Sequence, residues 1–204
     1  MLFRSAFELN NRPLGKLEIE AINRNAVFSA SEATREWRLT KLNLTLPEAR
    51  LEATGNWAAM GASATGSAGP RRTALTLRLG IEDSGALLAR FGMPGVIRGG
   101  KGQIDGTLGW VGSPLSLHYP SLSGALAVDV QRGQFLKADP GLAKLLGVLS
   151  LQALPRRLTL DFRDVFSEGF AFDFVRGNAR IEQGVATTNN LQMKGVNAAV
   201  LLEG

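Results

Sequence analysis

Apolar residues recur at every second position in run after run of this chain. Leu17, Ile19 and Ala21 alternate with Lys16, Glu18 and Glu20; Trp37 and Leu39 alternate with Glu36 and Arg38. Leu42, Leu44 and Leu46 alternate with Lys41, Asn43 and Thr45, and Leu75, Leu77, Leu79 and Ile81 with Thr76, Arg78 and Gly80. The same period returns in Ile104, Leu108 and Trp110, in Leu126, Val128 and Val130, and in Leu158, Leu160 and Phe162. Phe170, Phe172 and Phe174 put three rings on one parity, and Ala198, Val200 and Leu202 close the chain. A period of two predicts strands with one apolar face and one wet face, the pattern of antiparallel sheets. Gly, Pro and Asn punctuate the gaps, as in "ATGNW" and "TTNN".

So many one-sided strands need something to lie against. Each large apolar side chain left in water forgoes roughly 1.5–3 kcal/mol. Only two helices are legible, too few to cover the sheet. The first is "EDSGALLARFGMPG": Asp83 or Ser84 caps it, Leu87, Leu88 and Phe91 form a stripe, and Gly92 with Pro94 ends it. The second follows Asp139, has Pro140 at its first position and is stopped by Pro155. Its Leu142, Leu145, Leu146 and Leu149 make one stripe, predicted to seat on the sheet. Val148, Leu151 and Leu154 make another, a candidate lipid or membrane contact. A helix over 140–154 spans about 21 Å at ~1.5 Å per residue, short of the ~30 Å hydrocarbon core. Three solutions to the covering remain: two sheets face to face, one closed barrel, or a curved sheet whose trough takes lipid tails.

Charge and reactive side chains narrow the function classes. The net charge of +5 is dispersed, with no basic run longer than Arg71-Arg72 or Arg156-Arg157, so no nucleic-acid stripe is predicted. The chain has no cysteine, which removes disulfides, Cys-zinc sites and thiol catalysis. Its single histidine, His118, lies in "LSLHYPSL" without metal-ligand spacing around it. Asp161 and Asp164 read as a solvated strand face paired with Arg157 and Arg163. The glycines of "VIRGGKGQIDG" follow a helix and lack the phosphate-loop GxxxxGK[ST] pattern. No catalytic residue, metal or cofactor is predicted. "MLFRSAFELN" lacks the long apolar core of a signal peptide, and the strand pattern is still running at "NAAVLLEG", so a piece of a longer polypeptide is expected.

The specific residues are in the second half. "GMPGVIRGGKGQIDGTLGWVGSP" and then "LLGVLSLQALPRRLTLDFRDVFSEGFAFD" and "GVATTNNLQMKGVNAAVLLEG" resemble the C-terminal region of the AsmA-like envelope proteins, YhdP-type branch. "LGKLEIEA" and "WRLTKLNLTLPEARLEATGNW" fit the same style. The resemblance implies a periplasmic segment of a long protein anchored in the inner membrane of Gram-negative bacteria. Such bridge-like proteins carry phospholipid toward the outer membrane along an apolar β-groove. It implies no catalytic motif and leaves protein partners in the envelope unnamed. The expectation is a mainly β fold: an extended, curved antiparallel sheet of repeated modules forming an apolar groove, with two short helices. Residues 1–204 would be one elongated segment, with modules about 1–100 and 101–204 and a flexible loop about 57–72. Leu42, Leu44, Leu46, Leu75, Leu77, Leu79, Phe170, Phe172 and Phe174 are expected to line one shared concave surface. The alternative is a closed β-sandwich acting as a structural or partner-binding module of the cell envelope.

Overall fold

Strand follows strand in the computed structural model, which describes residues 2–9, 12–29, 32–60, 69–136, 169–195 and 199–203. The first half comprises β1 (Leu2–Leu9), β2 (Arg12–Ser29), β3 (Glu32–Thr45), β4 (Ala49–Ala59) and β5 (Arg71–Ile81). A helix, α1 (Ser84–Arg90), leads into β6 (Ile97–Val111), and a 3-10 turn (Tyr119–Ser121) leads into β7 (Ser123–Phe135). β8 (Phe170–Glu182), β9 (Val185–Thr187), β10 (Leu191–Gly195) and β11 (Ala199–Leu202) complete the described chain. All eleven strands belong to one sheet in the order β1 to β8, then β10 and β11, with β9 against β8. Every pairing is antiparallel. The sheet is not closed, and no second sheet faces it among the described residues.

The register turns the sequence alternation into rows that cross the sheet. One row runs through Leu17, Leu44, Leu51, Leu79, Ile104 and Val128. The next runs through Ile19, Leu42, Ala53, Leu77, Gly106, Leu126 and Ala179. Since cross-strand partners share a face, all of these side chains lie on one side of the sheet.

The alternation breaks at two places. In β3 the register shifts between Leu39 and Leu42, so both face the apolar side although their parities differ. A longer line of breaks crosses β6, β7, β8 and β10. Gly99 and Gly100 take positive φ (63° and 85°), and Arg132 does so at 54°. The β10 register shifts between Lys194 and Gly195. Across this line the inward set changes from Phe135, Phe170 and Phe172 to Val128, Val130 and Val175. Bulges of this kind bend strands and increase local twist.

The helix α1 forms where the sequence predicts it. The Asp83 carboxylate accepts from the Ala86 N–H at 2.9 Å, and Gly92 follows the end with φ of 90°. Ser84 Oγ donates to the Gly100 carbonyl at 2.9 Å, and Arg90 forks onto the Glu48 carboxylate. Buried Leu87 thus joins Leu46, Ala49 and Ile81 at one end of the apolar face. The predicted helix over 140–154, with Val148, Leu151 and Leu154, lies outside the described residues. The expected loop over 57–72 shares its ends with strands: Trp57 opposes Thr73 and Ala59 opposes Arg71. Small residues there keep the ladder, because its hydrogen bonds come from the backbone whatever the side chain.

Candidate functional site: the apolar face of the sheet

Register and burial place Leu42, Leu44, Leu46, Leu75, Leu77, Leu79, Phe170 and Phe172 on one face of the sheet. Leu44, Leu46, Phe170 and Phe172 are buried in one apolar cluster, with Leu42 and Leu79 half-buried against it. Leu75 and Leu77 continue the face half-exposed, opposite Leu108 and Gly106. Phe174 departs from the set. It opposes Gln131 and Lys194, and the Arg176 guanidinium lies over its ring at 5.2 Å. Arg176 in turn binds Asp129 on the polar side, at 2.9 Å. The phase change at Arg132 explains the departure: Val175 takes the inward place that strict alternation gives to Phe174.

Packing of the buried rings shows why glycine recurs on this face. The Phe172 ring lies so close over Gly133 that a Cβ there would meet Cζ at 2.4 Å. Phe135 tilts against the same ring, centroid to centroid 5.2 Å. Large and small residues also alternate along the second of the two rows, with Leu77 standing between Ala53 and Gly106.

Register, which parity within single strands does not supply, adds further residues to this face: Leu17, Ile19, Ile104 and Val128, whose alternation is visible in the sequence, and Ala53 and Met193, whose alternation is not. At the margin away from α1, Trp37 opposes Trp57, Trp57 opposes Thr73, and Thr73 opposes Trp110. Arg71 stacks on Trp57, its guanidinium carbon 4.0 Å from the ring centre, and Nη2 donates to the Trp57 carbonyl at 2.9 Å. Trp110 Nε1 donates to the carbonyls of Ser113 and Ser116 at 2.9 and 3.1 Å, tying the following loop down.

The opposite face is a lattice of ion pairs. Glu18 receives Lys16 and Lys41 at 3.1 and 3.2 Å, Arg50 meets Glu52 at 3.1 Å, and Arg78 meets Asp105 at 2.6 Å. Lys16 and Arg78 hold these contacts from well-exposed positions, while Lys41 and Asp105 are more sheltered. The Lys16 and Lys41 ammonium groups hold the Glu18 carboxyl below the usual range, and Arg176 and Gln131 do the same for Asp129. Toward the tryptophan margin this face dips into a hollow of about 760 Å³, bordered by Arg38, Asn56, Arg72, Thr54, Thr76 and Thr107. Glu36 is buried at its edge, bridging Asn56 Nδ2 at 2.8 Å and Arg24 Nε at 2.9 Å. Those two donors depress its pKa against the burial that raises it.

His118 Nδ1 lies 2.8 Å from Ser121 Oγ, which accepts from the Val111 N–H at 2.9 Å, so the histidine locks a turn. Gly99 and Gly100 make the bend in β6. Asp161 and Asp164 lie outside the described residues.

A family model described as YhdP protein matches residues 4–204 of this chain. The chain belongs to the YhdP protein family. It is 33% identical over 156 residues to the intermembrane phospholipid transporter YhdP of Escherichia coli (strain K12). The match covers 76% of this chain and 12% of that relative, so the chain spans a small part of the curated protein's length. No solved structure matches. In this YhdP-family segment no helix among the described residues is long and apolar enough to cross a membrane.

Proposed function

We propose that this segment is one stretch of a bridge-like phospholipid conduit, its apolar face carrying acyl chains between the inner and outer membranes of a Gram-negative envelope. The observation that carries this reading is the unbroken apolar face from β2 to β8. Six inter-strand gaps of ~4.8 Å give a lane of about 29 Å, long against the ~15 Å depth of one leaflet's hydrocarbon. The reverse face, laced with ion pairs, suits water. A face of Leu, Ile and Val offers acyl chains no directional contacts, so chains can slide along it without a fixed binding pose. The part is carriage, with no catalytic step. In the parent protein the segment would stand in the periplasm, with phospholipid as its ligand.

The test places a photoreactive residue at Leu77 or at its neighbour Arg78 in the full-length parent protein. Leu77 stands proud between Ala53 and Gly106, whereas Arg78 faces away and holds Asp105. Capture of phospholipid at Leu77 and not at Arg78 is expected. Equal capture at both, or at neither, overturns the lane.

A further inference from the structure

We propose that the tryptophan margin is the headgroup level of the lane: bound phospholipids place their glycerophosphate ends at Trp37, Trp57 and Arg71 and direct their acyl chains toward the α1 end. This inference rests on the lane reading above and gives it a polarity.

All three tryptophans of the chain fall in a single cross-strand row. That row is also where the face changes character. One step inward the row is Ala21, Leu39, Gly55, Leu75 and Leu108. In the tryptophan row Asn23 and Thr73 appear among the rings, and one step outward Arg71 opposes Ala59. Aliphatic, then aromatic, then cationic is the order of groups that a phospholipid meets from tail to phosphate. Indole suits the middle of that order because it combines an apolar body with one N–H donor.

The polar groups are arranged for an oxygen-rich ligand. The Arg71 guanidinium is held flat on Trp57, which fixes a cation at the margin without a flexible search. Trp57 Nε1 is shielded from water and has no hydrogen-bond partner among the described residues. An ester or phosphate oxygen entering the row would satisfy it. Trp37 is 40% exposed and leaves room for that entry. Beyond the row the β6–β7 loop adds Leu115 and Tyr119, 96% and 66% exposed, in a stretch free of Asp, Glu, Lys and Arg from Gly106 to Val128.

The other margin does not compete. There Leu46, Ala49, Ile81 and Leu87 are buried together, Arg90 is committed to Glu48 and Lys101 to Glu82, and no tryptophan lies among them. Between the margins, the eight steps of β5 from Thr73 to Ile81 cover about 27 Å at ~3.4 Å per step, room for an acyl chain laid along a strand.

Because every tryptophan lies in this row, the emission of the 204-residue chain reports on this margin alone. The chain is mixed with phosphatidylcholine carrying a nitroxide either on the headgroup or near the end of an acyl chain. The expected result is a larger fractional loss of emission with the headgroup label, and a smaller contrast between labels in Arg71→Gln. Equal loss, or greater loss with the tail label, overturns the headgroup assignment and leaves the lane standing. No loss with either label also overturns it. Crosslinking at Leu77 then separates the two readings: if lipid is still captured there, only the margin is misassigned, and if not, the lane falls with it.

Discussion

Gly106 and Gly80 make a matched pair in adjacent strands, and replacing each with alanine should have opposite effects. Gly106 sits on the apolar face of β6, opposite Leu126. A Cβ built there would be 2.3 Å from the Ala125 carbonyl oxygen and 2.6 Å from Leu126 Cδ2. The oxygen is backbone, so relief requires β7 to move by about an ångström and its ladder bonds to stretch. Overpacking of this kind costs about 1–3 kcal/mol, and weakened hydrogen bonds add about 1. Gly106→Ala should therefore lose about 2–4 kcal/mol. At Gly80 the nearest atom to the new Cβ is the Arg50 carbonyl oxygen at 3.9 Å, an open site. There alanine removes unfolded-state freedom and should gain about 0.4–1 kcal/mol. Urea unfolding followed by tryptophan emission measures both, since Trp110 lies on β6 and Trp57 on β4. Equal effects at the two positions, or a gain at Gly106, would show that β6 and β7 do not approach as described.

Two further substitutions test the margins. Glu48→Gln weakens the charged fork to Arg90 at a carboxylate only 6% exposed and should cost about 1–3 kcal/mol by the same unfolding measurement. Arg90 pulls the Glu48 carboxyl below its ordinary 4.5, so its stabilisation is fully present above that value and is lost as pH falls through the lower folded one. Glu36 and Asp129 act in the same sense, so stability should be flat from neutrality to roughly pH 5 and decline below it. Glu48→Gln should make that decline shallower; a steeper one refutes the assignment. At the other margin Thr73 is 0% exposed and donates to the Gly112 carbonyl at 2.9 Å. Thr73→Val keeps the shape, strands that carbonyl and should cost about 1–3 kcal/mol, whereas Thr73→Ser should keep the bond; equal losses would place the effect in packing.

Strand existence and face were legible wherever alternation stayed local. Leu75, Leu77 and Leu79 needed no structure, because β5 pairs on both sides without a break. The helix α1 was equally plain, since Asp83 and Gly92 act within one turn of it. What alternation could not supply was the phase between neighbours. Phe174 continues the parity of Phe170 and Phe172, but β8 itself is irregular at Asp173, in line with the positive φ of Arg132 in β7 and of Gly99 and Gly100 in β6, and nothing in the local alternation marks that break. Trp37 with Leu39 and Leu42 with Leu44 read as two runs of opposite parity, and register joins them into β3. The tryptophan row was invisible for the same reason: Trp37, Trp57 and Trp110 are far apart in sequence and meet only through three successive registers.

The strict neighbour order of the meander has a consequence for growth. Because each strand up to β8 pairs with the next one in sequence, the sheet behaves as a ruler whose length is set by strand number, at ~4.8 Å per strand. The two margins, however, alternate: successive turns fall on opposite sides. Inserting a single strand would reverse every later strand and move each downstream turn to the other side. Inserting a hairpin preserves both. Reach can therefore be lengthened or shortened only in even steps of about 9.6 Å if the sides of the sheet are to keep their identities. Parity of strand number, a property no individual residue carries, is then a conserved quantity of such an assembly.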